Sequence, residues 1–413
     1  MTKRLHPDPE IEALVQNLND TAKTRPEPST EDGDEAPIQA HRPRHAPRWP
    51  LVEASEEGRQ WLTSLLEQAR RGHASDLLLV VGARPMARIN GALTRLGKQR
   101  LTGSAADALC AALVPPVRRE HAEEDGAVDF AMTLEGLGRF RCNVHRERMH
   151  WAAAIRLLPE QVPEFEQLHL PPDLERFAEL EHGLVLVTGP TGSGKSTTLA
   201  TLAGRILRRR SVHLITIEDP VEFTHEHQGN SIAEHIEIGR DTRSFAGALR
   251  AALRQDPDVL LIGEMRDPES ISIAITAAET GHLVLSTLHT CDAPQTVHRI
   301  LDSYPAEQME TVRVQFSISL AGIISQQLLP RKDGAGRVPA VEILAATNAV
   351  RNLIRQGKIP QLRSQLTLER GAGMLDLDRS LARLVREELV DLEEALRRAR
   401  IPDEFRNLVQ SGK

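Results

Sequence analysis

Residues 189–196 read Gly189-Pro190-Thr191-Gly192-Ser193-Gly194-Lys195-Ser196, which is the spacing GxxxxGK[ST]. The five apolar residues Leu184–Thr188 predict a strand before this octet, and a helix is expected over Thr197–Leu207 after it. Strand, glycine loop and helix in that order form the context in which the pattern cradles nucleotide phosphates. The glycines let successive backbone N–H groups turn inward around a β-phosphate, and the helix N-terminus adds partial positive charge. Lys195 is placed to reach the β- and γ-oxygens, and the Ser196 hydroxyl to ligate Mg²⁺. The chemistry implied is binding of Mg·ATP through Gly189–Thr197, followed by hydrolysis.

Three further segments supply acids and a polar strand end. The apolar run His213–Ile217 closes in Glu218-Asp219-Pro220-Val221-Glu222-Phe223. Carboxylates at the C-terminal end of a strand stand where open α/β sheets bind ligands. One of the three can polarise an attacking water while others hold Mg²⁺ indirectly. A second run, Val259–Ile262, closes in Gly263-Glu264-Met265-Arg266-Asp267. An apolar strand ending in an acid has the form that holds the water shell of Mg²⁺, with Glu264 here in place of the commoner Asp. A third run, Leu283–Leu288, lies between His282 and His289. Each histidine can be a hydrogen-bonded structural group, and one at the strand end can sense the γ-phosphate.

These elements need a sheet to hold them. From His182 onward, strand, loop, helix and strand alternate, which predicts a mainly parallel sheet covered by helices. Upstream, a helix within Val52–Arg71, a strand at Asp76–Val81, a hairpin about Asn90-Gly91, a helix at Ser104–Leu113 and strands near Val128–Thr133, Gly138–Val144 and Met149–Leu157 describe a small α+β domain. The expected division is a Pro- and charge-rich disordered tail over 1–48, an α+β domain over 49–158, a linker over 159–180, the ATPase core over 181–347 and a helical region over 348–413. The linker expectation rests on Pro159, Pro163, Pro171 and Pro172.

Composition narrows the function further. The 413 residues are 40% hydrophobic, enough for real cores, but only 3% aromatic, which disfavours base-stacking platforms. A net charge of −7 argues against a general nucleic-acid binder, and no direct nucleic-acid partner is expected. Cys110, Cys142 and Cys291 lie far apart, without the CxxC pairs of a zinc site, and read as reduced thiols of a cytoplasmic protein. No apolar stretch is long enough to span a membrane, so any membrane association is expected to run through a partner.

Taken together, GPTGSGKSTT, ITIEDPVEF, LRQDPDVLLIGEMRD and TAAETGHLVLSTLHT resemble, in order and spacing, the hexameric ATPases of type II and type IV secretion and type IV pili. Within that superfamily the chain is most similar to the pilus retraction motors of the PilT/PilU kind. HASDLLLVVGARPMARINGAL resembles their opening domain, and Ala349-Val350-Arg351-Asn352-Leu353-Ile354-Arg355 resembles their AIRNLIRE signature. The four-cysteine element usual in assembly and type II secretion ATPases has no counterpart after Cys291.

The resemblance implies a PAS-like α+β domain followed by a RecA-like P-loop domain, assembled into a homo-hexamer. It implies ATP and Mg²⁺ as ligands and an inner-membrane pilus platform protein as partner, with a paralogous retraction ATPase as a possible second one. The implied location is cytoplasmic, peripheral at the inner membrane. Glu222 becomes the water-activating base and Glu264 the Mg²⁺-side carboxylate. Arginines of the small domain close over the phosphates, Arg141 and Arg156 first, with Arg139 and Arg148 in reserve. One departure stands out: where the family usually has Gln-Arg-Gly-Gly, this chain has Val144-His145-Arg146-Glu147-Arg148-Met149-His150, without glycine. Three rival readings remain at this level: an accessory retraction subunit, an assembly or secretion motor, and a DNA-translocating motor.

Overall fold

The computed structural model describes residues 48–89, 91–97, 99–159, 161–334, 336–368 and 373–411. The expected disordered tail lies outside the described residues except for Arg48.

The chain opens with helix α1 (Glu56–Arg71). Ser55 caps it by accepting from the Gly58 N–H, Glu56 and Glu57 occupy its positive end, and Arg70 and Arg71 its negative end. Leu62, Leu65, Leu66 and Ala69 form its buried face. Strands β1 (Asp76–Leu79), β2 (Met86–Ile89) and β3 (Ala92–Arg95) follow, then α2 (Gly103–Leu113) and α3 (Pro116–Asp125). Next come β4 (Ala127–Leu134), β5 (Gly138–Glu147) and β6 (His150–Leu157). The six strands form one antiparallel sheet in the order β3-β2-β1-β6-β5-β4. The helices cover one face, around a core that includes Leu66, Leu109, Phe140, Trp151 and Ile155. Cys110 and Cys142 are buried in that core, and burial pushes both thiols far up.

On β5 the buried Phe140, Cys142 and Val144 alternate with Arg139, Arg141, Asn143 and His145, so one face of the strand is polar. The β5–β6 hairpin turns on Arg148 and Met149 alone, both at positive φ (48° and 69°). Two-residue hairpin turns with positive φ at both positions favour glycine and asparagine. The chain therefore keeps a glycine-type turn in the region where the family's glycines are missing.

The segment 159–180 carries structure of its own. Two short 3₁₀ helices, Glu166–Leu168 and Pro172–Glu179, place Phe165, Leu174 and Phe177 in the core of the second layer. Arg205, Arg208 and Arg209 of the helix beneath pair with Glu164, Glu166, Glu175 and Glu179. Pro171 sets an extended entry to the second of these turns, and Phe165 and Phe177 supply the packing that a free linker lacks.

The large sheet is built from β7 (Gly183–Thr188), β8 (His213–Glu218), β9 (Ile232–Glu237), β10 (Val259–Ile262), β11 (Leu283–Leu288), β12 (Leu320–Pro330) and β13 (Arg337–Ala345), in the order β13-β12-β7-β11-β10-β8-β9. All neighbours run parallel except β13, which pairs antiparallel with β12. Every residue of β7, β10 and β11 is buried, which is why these strands read as unbroken apolar runs rather than alternating ones. Helices α4 (Lys195–Arg209), α5 (Phe245–Ala252), α6 (Pro268–Glu279), α7 (Ala293–Leu301) and α8 (Ala306–Ser319) cover its faces.

The C-terminal region comprises α9 (Asn348–Arg355), α10 (Leu362–Leu368), α11 (Leu377–Arg386), α12 (Leu392–Leu396) and α13 (Pro402–Ser411). Its last three helices enclose a separate core around Leu381, Leu384 and Phe405. No helix among the described residues is long and apolar enough to cross a membrane.

Candidate nucleotide site

The phosphate loop joins β7 to α4. Gly189, Gly192 and Gly194 have φ of 146°, 77° and 88°, a region that side chains other than glycine rarely adopt. Space matters as well: a Cβ on Gly189 would meet the Gln326 carbonyl oxygen at 2.3 Å, and one on Gly194 the Gln326 side-chain amide at 2.8 Å. Lys195 is buried, and its ammonium donates to the carbonyls of Gly189 (2.9 Å) and Pro190 (3.1 Å). Burial lowers its pKa, opposed by the charges of Glu264 and Glu222. Ser196 and Thr197 occupy the first turn of α4, and Pro190, Thr191 and Gly192 form the exposed tip. The buried Ser193 hydroxyl has no hydrogen-bond partner among the described residues.

Gln326 is the residue that the motif reading passed over. It lies on β12 beside β7 and is 3% exposed. Its amide donates to the Ser193 carbonyl (2.7 Å), and its oxygen accepts from the Thr198 hydroxyl (2.8 Å). One side chain thus ties the loop to the first turn of α4. A hydroxyl bond between Thr188 and Ser325 (3.0 Å) fastens the preceding strand end in the same way. The signal was present in the sequence as the polar group Ser325-Gln326-Gln327 inside an otherwise apolar strand.

The parallel order brings the acidic strand ends to the loop. Glu264 follows β10 and accepts from Arg266; its other oxygen lies 3.3 Å from His289 Nε2 at the end of β11. His289 Nδ1 in turn lies 3.4 Å from the Lys195 ammonium. The geometry suits the tautomer in which Nδ1 accepts from Lys195 and Nε2 donates to Glu264. Lys195, His289, Glu264 and Arg266 therefore form one polar chain. His282, at the opposite end of β11, is held by the Ala277 carbonyl (3.0 Å) and stands away from the loop.

Glu218 ends β8 and is buried, which pushes its carboxyl up to about 7. It lines a small cavity with Ser196, Phe223, His225 and Gly263. One of its oxygens accepts from the Glu222 N–H at 3.4 Å, while Asp219 points to solvent. Glu222 is half-buried and close enough to influence Lys195 electrostatically.

The arginines divide. Arg139 reaches the ATPase layer, donating from Nε to the Val221 carbonyl (2.9 Å) and from a terminal nitrogen to Glu237 (2.6 Å). Arg156 pairs with Asp76 inside the small domain (3.0 Å), and Arg141 is its direct cross-strand partner. Arg148 sits at the tip of the β5–β6 hairpin, paired with Glu147.

The family described as "Type II/IV secretion system protein" matches residues 124–370. The chain belongs to this family. A "Twitching motility protein" of Neisseria gonorrhoeae is 45% identical over 315 residues, covering 76% of this chain and 84% of that protein. The "Type IV pilus retractation ATPase PilT" of Pseudomonas aeruginosa is 42% identical over 344 residues, 83% and 99% of the two chains. The crystal structure titled "Pilus Retraction Motor PilT and Bound ADP" superposes with a TM-score of 0.76 at 44% identity, covering 83% of this chain and 98% of that one. As a type II/IV secretion family member the chain has the expected α/β architecture. A RecA-like core follows a small PAS-like sheet, and helices close the C-terminus.

The signature Ala349–Arg355 forms α9 of this family member, remote from the phosphate loop. Its Arg351 donates to the carbonyls of Ala346 and Ser317 and to that of Ile318. Arg351 also lines a cavity of about 630 Å³ with His182 and Gly183, at the end of β7 away from the nucleotide loop.

Proposed function

We propose that this chain is a motor ATPase that hydrolyses Mg·ATP to drive the retraction of type IV pili. The observation that carries the reading is the convergence of the Gly189–Thr197 loop, Glu264 and His289 at one end of a sheet, in a chain 42–45% identical to the retraction relatives over most of its length.

The roles follow from position. Gly189–Thr197 wraps the phosphates with backbone N–H groups, and Lys195 leaves the carbonyls of Gly189 and Pro190 to neutralise the β- and γ-oxygens. The cavity beside Ser196 offers a hard cation two oxygen donors, the Ser196 hydroxyl and the buried Glu218, and the charge of Glu264 reaches the adjoining Lys195. Mg²⁺ bound there would neutralise charge on the β- and γ-phosphates. Ser196 would ligate it directly and Glu264 through water. Glu222 orients and deprotonates the attacking water, and His289 reports the γ-phosphate to Glu264. Arg141 and Arg156 stand on the polar face of the small sheet and serve as charge stabilisers once the domains close.

The working division is a small domain over 49–158, a connecting segment over 159–180, the ATPase core over 181–347 and a helical region over 348–413. Six copies forming a ring, engaging a platform protein at the cytoplasmic face of the inner membrane, would convert sequential closure into movement of the fibre. A paralogous retraction ATPase is a further partner of the same kind.

Counting surface pili in cells carrying Lys195→Ala, with twitching scored alongside, tests the reading. Excess pili without movement is the expected result. Bald cells would make the chain an assembly motor. Normal pili and normal movement would make it an accessory subunit or assign it to another machine.

A further inference from the structure

The proposed base, Glu222, belongs to a turn whose backbone is gripped from the other domain. The peptide joining Val221 to Glu222 is held at both ends. Its carbonyl accepts from Arg139 Nε at 2.9 Å, and its N–H donates to Glu218 at 3.4 Å. The preceding N–H, that of Val221, donates to Glu237 Oε2 at 3.3 Å, and that same oxygen accepts from Arg139 at 2.6 Å. Arg139, Glu237 and Val221 thus close a three-membered ring of hydrogen bonds. Glu237 is 3% exposed, so its charge is compensated inside the protein by Arg139 rather than by water. Planar guanidinium geometry lets one side chain serve both acceptors at once.

The ring crosses the boundary between the two sheets. Arg139 stands near the start of β5 in the small sheet, whereas Val221 follows β8 and Glu237 ends β9 in the large one. A second arginine of the small domain, Arg118 on α3, has its guanidinium against Gly239, two residues beyond Glu237. Any rotation of the small domain must pull on the peptide that sets the position of Glu222.

We propose that Arg139, with Glu237, is a positioning residue for hydrolysis: it couples the seating of the small domain to the placement of Glu222, without itself meeting the nucleotide. The inference rests on the reading of Glu222 as the base. Glu222 is aligned when the ring is closed. When the ring opens, nucleotide stays bound but the water is misaligned, and misplacement of about 1 Å can cost about 100-fold in rate.

The test uses the full chain, with ATP turnover and ADP dissociation measured for Arg139→Ala, Arg139→Lys, Glu237→Gln, Glu222→Ala and the double variant Arg139→Ala/Glu222→Ala. Arg139→Ala should lower kcat by about 10- to 100-fold while the ADP dissociation constant moves less than about threefold, the split expected when an interaction serves the transition state. Arg139→Lys keeps a charge for Glu237 but cannot serve both acceptors, so it should fall between wild type and Arg139→Ala. Glu237→Gln should lower kcat in the same direction. Because Arg139→Ala strands a buried carboxylate, the milder Arg139→Lys and Glu237→Gln carry the test if that variant does not fold. In the Glu222→Ala background, removing Arg139 should cost nothing further. Normal kcat in Arg139→Ala beside an inactive Glu222→Ala would overturn the proposal alone. Full additivity of the two losses, or loss of ADP affinity in step with kcat, would overturn it as well. Normal hydrolysis by Glu222→Ala would overturn the base assignment and the proposal with it.

Discussion

The ammonium of Lys195 lies 3.4 Å from Nδ1 of His289, and the other nitrogen of that ring lies 3.3 Å from Glu264. The Lys195 ammonium and the Glu264 carboxylate are thereby joined through one imidazole. Losing His289 should separate them without destroying the loop. His289→Ala is expected to lower kcat by about 10- to 100-fold and to change ADP affinity only slightly, as for a group that acts in the transition state. Steady-state turnover and equilibrium ADP titration on the same preparation decide it; a large loss of ADP affinity would make His289 a ground-state binding residue instead.

Lys195→Ala removes the ammonium that we propose neutralises the β- and γ-oxygens. Turnover should drop by at least about 100-fold, the scale seen when one strong electrostatic donor is deleted. A phosphate-release assay measures it, and activity near wild type would mean the loop is not the site.

Gln326 can be tested by stability and binding together. Gln326→Ala leaves the Thr198 hydroxyl and the Ser193 carbonyl without their partner in a buried setting, at a cost of about 1–3 kcal/mol. Denaturant unfolding should show the loss, and ADP affinity should fall as the loop loosens. Unchanged affinity would restrict Gln326 to a packing role.

Arg148 and Met149 hold left-handed conformations that cost an ordinary residue about 1–2 kcal/mol each. Met149→Gly relieves one of them while loosening the unfolded chain, so the net gain should be up to about 1 kcal/mol. Thermal melting of the variant measures this, and a lower melting point would show that the exposed Met149 side chain contributes more than its backbone costs.

Glu218 gives a pH signature. Its carboxyl is raised from 4.5 to about 7, so between these values the folded protein holds a proton that the unfolded chain releases. The stabilisation is complete below about pH 4.5 and is lost as pH rises through 7. At about 1.4 kcal/mol per unit of difference, the swing attributable to this group is at most about 3.5 kcal/mol. Glu218→Gln should flatten the pH dependence of unfolding across that interval. An unchanged slope would mean that Glu218 titrates as an ordinary carboxyl.

The sequence by itself determined the local chemistry. The octet 189–196 carries its own instructions: glycine stands at 192 and 194, where φ is positive, and a helix follows as expected, opening at Lys195, two residues before the expected Thr197. The largely apolar runs of β7, β10 and β11 announced buried parallel strands, and the acids Glu218 and Glu264 marked the ends of β8 and β10. Pairing across long separations was not legible in this way. Gln326 reaches the loop from 137 residues beyond Gly189 because β12 lies beside β7, and no local periodicity encodes which strands become neighbours. The proline-rich segment 159–180 read as a linker, since its packing depends on Phe165 and Phe177 finding the core beneath α4. The arginines show the same division most clearly. Arg139, Arg141 and Arg156 look equivalent as cations in strands; strand pairing within the small sheet gives Arg156 to Asp76, and the docking of that sheet on the ATPase layer gives Arg139 to Val221 and Glu237. Residue type fixes what a side chain can do; which partner it does it with depends on strand pairing and domain orientation, set by many weak contacts between residues far apart in sequence.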